Sequence, residues 1–392
     1  MQGIVKNHQP SPWRAVALAV TFLSPVSLAM AQAPASLPFT DLSSCPNAVP
    51  AITEAYATGI TTGTSPTTFG PALGVSRSQM ATFVTRTLDQ SIVRESRNAP
   101  LNQWATPRGI LQMATTTLGG TLMNAVSDGT NVWVADSAGG RVLKVEGSTG
   151  RLLETWTGAS GAFSMAVAMG KIFIISNTSA LYEIDPQGVA GPVTVVTTSA
   201  PILSGPTSIV FDGTRLWIIG YPGVSFVTPQ ASLPWHLTTV TTGFQALTGG
   251  IYDGSNIWVT DFKAGKLFEL DSNGAIVRTV AVGATPMYPV FDGTNIFVPR
   301  FSDNAVSVVR AATGVQLPDL TGNGLAGPEA ASFDGRRILI TNFAGDSVSV
   351  WKAANLKAIG TSSTGVDSFP TSACSDGLNF WVTLQSGTLV RF

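Results

Sequence analysis

Histidine and cysteine, the residues most often recruited for metal binding and nucleophilic chemistry, are nearly missing from this chain: His8 and His236, Cys45 and Cys374. A single histidine beyond residue 40 excludes a multi-histidine metal centre, and a Ser-His-Asp arrangement would have to run through His236. That residue sits in Pro234-Trp235-His236-Leu237, an extra segment of one repeat, where a surface or packing role is expected. Charge is sparse as well, at 11% of 392 residues, and Lys+Arg 22 against Asp+Glu 23 leaves a net charge of -1. This balance excludes a broad basic face for nucleic acid or anionic membrane. Past the first forty residues no apolar run approaches the roughly 20 residues of a membrane span, so the chain does not read as an integral membrane protein. No glycine loop lies between a strand and a helix as a phosphate cradle. Accordingly no cofactor, no metal and no catalytic residue is assigned.

Acidic residues are absent from the first forty positions. There Lys6 and Arg14 precede the apolar run 15–29, which ends in Ala29-Met30-Ala31. Charged, greasy, then small is the order of a secretory signal peptide, expected at 1–31. The chain is thus expected to be secreted, to the cell envelope, periplasm or cell surface. In an oxidising compartment Cys45 and Cys374 could form a disulfide; the alternative is two buried free thiols.

What the chain has in abundance is turn formers, 40 Gly and 24 Pro. An apolar strand, a turn of the Asp-Gly type and a second apolar strand recur from residue 125 to the end. The marker glycines are Gly129, Gly170, Gly213, Gly254, Gly293, Gly335 and Gly377, spaced by 41, 43, 41, 39, 42 and 42 residues. A period of about 40 to 45 residues with several short strands per unit predicts a β-propeller. Four residues after the marker stand Trp133, Trp217, Trp258, Phe297, Leu339 and Trp381; the second repeat reads as one residue short, with Phe173 at the third place. A large apolar group at one fixed position predicts core, and Asp-Gly predicts a hairpin turn rather than a calcium ligand. The last repeat ends one strand short at Phe392, and the orphan strand 110–118 is expected to complete it and close the ring. The fold class is therefore mainly β: a seven-bladed propeller over 109–392, preceded by a linker at 96–108.

Residues 38–95 follow a different pattern. A short helix is expected over 48–58, ending at Gly59, then a turn-rich loop, then a second helix from Ser76 with Met80, Phe83, Val84 and Leu88 on one face. Pro38-Phe39-Thr40-Asp41, Gly59-Ile60-Thr61-Thr62-Gly63-Thr64, Phe69-Gly70-Pro71 and Val75-Ser76-Arg77-Ser78-Gln79-Met80-Ala81 together resemble a single S-layer homology domain. That resemblance implies attachment to cell-wall polysaccharide, with Arg77 as the basic contact. The acid of the family's Thr-Arg-Ala-Glu motif is replaced here by Gln79. Ser76 and Gln79 also stand at capping-box spacing, which would start a helix without any ligand.

Phrases such as Trp258-Val259-Thr260-Asp261 and Leu339-Ile340-Thr341-Asn342-Phe343 resemble the YVTN/NHL class of bacterial propellers over residues 110–392. On such a propeller the ligand face is built by loops leading into the innermost strand and loops joining the second and third strands. Asp136, Tyr221, Asp261, Lys263, Tyr288, Arg300, Asp303, Glu329, Asn342 and Asp346 are the candidates there, a mixture suited to a protein, peptide or sugar ligand. The leading expectation is an exported, non-catalytic binding or scaffold protein of the envelope. The alternative is a metal-dependent lactonase- or lyase-like enzyme that would use Asp261 and Asn342 at the channel mouth.

Overall fold

The computed structural model describes residues 37–57, 61, 64–65, 67–74, 80, 83–84, 114–197, 204–230 and 232–392. The chain divides into two compact units at residues 97 and 98. The expected signal peptide, the linker, Arg77 and most of the expected second helix lie outside the described residues.

In the first unit a 3-10 turn at Pro46–Ala48 leads into helix α1, Val49–Ala57. Phe39, Leu42 and Ile52 form its buried centre, with Tyr56 and Phe69 packed against them. The Asp41 carboxylate accepts the backbone N–H groups of Phe69 at 2.9 Å and Gly70 at 2.8 Å. These bonds hold its pKa below the ordinary carboxylate value. Two sequence pieces nearly thirty residues apart are thereby the two sides of one clamp. Glycine is required at Gly70, where φ is +76° and an added Cβ would lie 2.8 Å from Leu73 Cδ1. Of the residues expected on one face of the second helix, Met80 and Val84 are exposed and Phe83 is half-buried.

The second unit is a ring of seven four-stranded antiparallel sheets. Blades 1 to 6 span 122–157, 162–197, 205–240, 247–281, 290–321 and 328–363, each in sequential strand order. Blade 7 takes three strands from 370–391 and its outermost strand from Ala114–Thr117, which pairs with Thr388–Arg391. Sequence-distant ends thus close the ring, as the orphan strand predicted.

Each gap between neighbouring blades holds its own apolar cluster, and there are seven. The fixed-position side chain fills the gap ahead of its blade. Trp133 packs on blade 2, Phe173 on blade 3, Trp217 on blade 4, Trp258 on blade 5, Phe297 on blade 6, Leu339 on blade 7 and Trp381 on blade 1. All are essentially fully buried, which stabilises the ring by about 1.5–3 kcal/mol for each side chain.

The Asp of the repeated phrase has a second task beyond turning the chain. Asp128 accepts the N–H groups of Thr130 and Asn131 with one oxygen and the Trp133 indole N–H, at 2.8 Å, with the other. Asp212 with Trp217, Asp253 with Trp258 and Asp376 with Trp381 repeat this at 2.7 Å. Burial raises the pKa values of Asp128, Asp212 and Asp376, but the indole and backbone donors outweigh it and hold all three low. Where no indole follows, Asp292 and Asp334 keep only the turn bonds, with the Arg337 side chain added at Asp334. Blade 2 corrects the sequence reading. Its Ala166–Phe173 pair matches Val126–Trp133 in register and length, so the repeat is not short. Its turn is instead a two-residue Met169-Gly170 hairpin with φ of +51° and +75°, the pattern of a type I′ turn. With no Trp to satisfy, it needs no Asp.

Cys45 and Cys374 are free thiols. Cys45 donates to the Leu42 carbonyl at 3.6 Å. Cys374 packs in the cluster of Trp381 and Leu389, where burial pushes its thiol well above the ordinary value.

Candidate functional site

The first strand of every blade lines a central channel of about 240 Å³. All seven first strands carry a one-residue bulge at the same height, which breaks the ladder and turns side chains into the channel. In blade 5 the bulge falls between the Pro286–Arg300 bridge and the Val290–Phe297 pair.

The second strands run outward to a common end, three residues past the core position. That row reads Asp136, Ser176, Gly220, Asp261, Arg300, Asn342 and Leu384. Four of its members were expected on the ligand face, and all four are engaged internally. Asp136, fully buried, accepts the N–H groups of Thr121 and Gly139 and pairs with Arg141 at 2.7 Å. Asp261, also fully buried, accepts four backbone N–H groups, from Gln245, Ala246, Lys263 and Ala264. Asn342 donates to Ser347 and Ser349 and accepts from Ala326. Arg300 donates to the Val282 carbonyl and pairs with Asp303 and Asp319. Each fastens the loop after its own strand or the loop leading into the innermost strand. Isolated buried charges would be costly, and this bonding offsets that cost, although the buried Arg300 Nε has no partner among the described residues.

Asp303 and Asp346 also serve loops. Asp303 accepts from Ala284 as well as pairing with Arg300. Asp346 accepts the N–H groups of Asp367, Ser368 and Phe369. Although burial works against it, these bonds hold the Asp346 carboxyl below its ordinary pKa. Asp367 and Phe369 have φ of +55° and +47°, a conformation that costs a bulky residue about 1–3 kcal/mol. One carboxylate therefore holds a strained loop in place.

The next row outward was missed by sequence reasoning except at Tyr221. It reads Ser137, Asn177, Tyr221, Phe262, Phe301, Phe343 and Gln385, so four consecutive blades, 3 to 6, present an aromatic ring. Tyr221 is 57% exposed and Phe262 44%, while Phe301 and Phe343 are half-buried. Phe262, Phe301 and Phe343 each donate a backbone N–H to the loop that leads into the innermost strand, at Ala246, Thr285 and Gly327. These three residues therefore stand beside the loops that enter the innermost strands, outside the lining of the cavity itself. Phe343 stands 6.2 Å from Phe301 and 5.3 Å from Phe369, ring centre to ring centre. The signal was available in the sequence: an aromatic four residues beyond each core position in four repeats running.

Tyr288 and Glu329 do face the channel. They lie on adjacent first strands, joined by bonds from the Tyr288 N–H to the Glu329 carbonyl and from the Ala331 N–H to the Tyr288 carbonyl, at 3.0 and 3.1 Å. Among the described residues nothing bonds or pairs with the Glu329 carboxyl. Burial pushes its pKa up to about 8. The Tyr288 phenol is raised too, first by burial and then by the Glu329 charge. Asn124, Thr207 and Thr371 stitch blades together: Asn124 bonds Ser372 and Met165, Thr207 bonds the Leu247 carbonyl and Thr371 bonds the Leu122 carbonyl, while the Ser164 and Ser208 hydroxyls of the lining have no partner among the described residues. Lys263 is exposed on its loop, and His236 is exposed between the third and fourth strands of blade 3, away from the channel lining.

Among the described residues no group of three His, Cys, Asp or Glu could hold a metal ion, and no helix is long and apolar enough to cross a membrane. No curated protein matches the chain. Among solved structures it is similar to a streptogramin B lyase, at 14% identity over 71% of this chain and 96% of that one, with a TM-score of 0.59. A catalytically inactive histidine-to-alanine variant of virginiamycin B lyase from Staphylococcus aureus with quinupristin is 14% identical, over 72% of this chain and 97% of that one, with a TM-score of 0.58. The WD40 β-propeller domain of Doa1 is 11% identical, over 73% and 97%, with a TM-score of 0.59. At these identities the likeness is one of fold. Residues 38–81 match the S-layer homology domain family, so the chain joins an S-layer homology domain to a seven-bladed β-propeller.

Proposed function

We propose that this is an exported cell-envelope binding protein, attached through its S-layer homology domain and holding a ligand at the channel mouth of its propeller. The signal peptide read at 1–31 supports export, and the matching family at 38–81 supports attachment to cell-wall polymer. One observation carries the binding half. Of the polar residues expected on the ligand face, Glu329 alone combines a place in the channel with a carboxyl that has no partner among the described residues. The aromatic arc beside it supplies contact area suited to a sugar ring or a peptide side chain.

An enzyme reading has less support. Asp261 and Asn342, the side chains a lactonase- or lyase-like site would use, have their bonding capacity filled by the protein itself. The lyase neighbour whose histidine variant is inactive differs in kind, since His236 here stands on the blade edge.

Two experiments test the two halves. The full-length protein should sediment with purified cell walls and Arg77→Ala should reduce the bound fraction; no co-sedimentation overturns attachment. Cell-wall fragments, peptides and oligosaccharides that raise Tm should lose that effect in Phe343→Ala and Glu329→Gln; a ligand indifferent to both would place binding elsewhere. Export would also bring Cys45 and Cys374 to an oxidising compartment, and absence of titratable thiol in the denatured exported protein would establish their pairing.

A further inference from the structure

We infer that the group taken up by the channel is an organic ammonium, paired with Glu329 and flanked by the aromatic rings of the mouth. This deepens the ligand-site reading above and rests on it. The lining decides the sign of the ligand. It contains Glu329, Tyr288 and Cys374 as its titratable residues and no Lys, Arg, His or Asp. An anion would find no counter-charge there and would meet the Glu329 carboxylate. A cation would find the Glu329 carboxyl, the one carboxyl of the lining, which has no partner among the described residues.

The lining also decides the kind of cation. A hard metal ion needs six to eight oxygen ligands or a dense carboxylate cluster. Here a single carboxyl is free, no cluster of three ligating side chains exists among the described residues, and the nearby oxygens of Asn124 and Thr371 are already bonded. An ammonium group requires less: one carboxylate, and aromatic faces that attract positive charge. Both are at hand. Phe301 lies so close to Gly327 that an added Cβ there would be 3.1 Å from its ring. Gly327 precedes Glu329 by two residues, about 7 Å of chain at most. Phe301 thus stands beside the start of the strand that carries Glu329, and Tyr288 bridges to that strand at Ala330.

The pairing carries a proton signature. With its pKa raised to about 8 by burial, Glu329 is mostly protonated at pH 6, and an ammonium ligand must displace that proton. Tyr288 stays neutral throughout this range because its own pKa is raised. The Cys374 thiol is raised likewise. Affinity should therefore rise by roughly tenfold per pH unit from pH 5.5 to 7.5, with release of up to one proton per ligand.

Benzylammonium, benzyl alcohol and benzoate have similar shapes and differ in charge. Calorimetric titration of the full-length protein, in two buffers of different ionisation enthalpy, should rank them in that order, with benzylammonium at least tenfold tighter than benzyl alcohol at pH 7.5. Glu329→Gln should abolish the difference and the proton release, while Glu329→Asp should retain part of both. Equal binding of the alcohol and the ammonium, or tighter binding of benzoate, overturns the ammonium inference and leaves the channel standing as a ligand site. Benzylammonium binding unchanged in both Glu329→Gln and Phe343→Ala overturns that site as well. No saturable benzylammonium binding overturns the inference, and the wall-fragment screen then decides the site on its own.

Discussion

Asp261 and Glu329 are two acidic residues on the same side of one ring, two blades apart, and they have opposite standing. Asp261 is fully buried and receives four backbone N–H groups. Glu329 faces the channel and receives none, and burial raises its pKa to about 8. The difference teaches that residue type and loop position do not make a ligand group; unspent bonding capacity does. Asp136, Asn342, Arg300, Asp303 and Asp346 fall with Asp261 as parts of the frame.

The frame itself should give the largest effects. Deleting residues 105–120 removes the strand that closes blade 7 and exposes the edge of Thr388–Arg391, so the cooperative thermal transition should be lost or fall by tens of degrees. Deleting 38–95 should leave the propeller transition nearly in place. Equal, small losses in the two deletions would break the closure argument. Next comes Asp261→Ala, which removes a buried carboxylate and the four backbone N–H bonds it accepts from two loops. It should cost about 3 kcal/mol, read as a Tm lower by roughly 6–12 °C.

Glu329→Gln should do the reverse, with a pH dependence of definite sign. The folded-state pKa is raised to about 8, against about 4.3 in an unfolded chain. Folding therefore favours the protonated carboxyl. The associated stability is fully present below about pH 4.3 and is lost as pH rises toward and through 8. The Gln variant should thus melt higher than wild type at pH 9 and equally at pH 4.5, checked by Tm across that range. A constant difference would mean that charge is not the cause. The smallest stability effect is expected for Phe343→Ala, below about 1 kcal/mol because the ring is half-exposed, although ligand binding should suffer.

The fold was legible because the propeller repeats its physics. A Gly-marked turn, an aromatic four residues on and a missing last strand sufficed to place blades and closure. Blade 2 was misread because Met169-Gly170 makes the turn without an Asp, and only strand register shows that the lengths agree. The site was less legible. Sequence shows that Asp136 and Asp261 are acidic loop residues, but not that Thr121, Gly139, Gln245 and Ala246 turn their N–H groups onto them. Those donors come from loops about fifteen residues away or from the next turn. The aromatic arc was within reach, since Phe262, Phe301 and Phe343 occupy one column of the repeat.

Glu329 is the one carboxyl in the channel lining, and it has no partner among the described residues. Carbon-13 labelling of the glutamate carboxyls and titration by NMR, with Glu329→Gln for assignment, tests it most directly. A single glutamate titrating near pH 8 and missing from the variant is the expected result. If every glutamate instead titrates in the ordinary range near 4.3, the carboxyl has found a partner or open solvent, and the account of the channel is wrong.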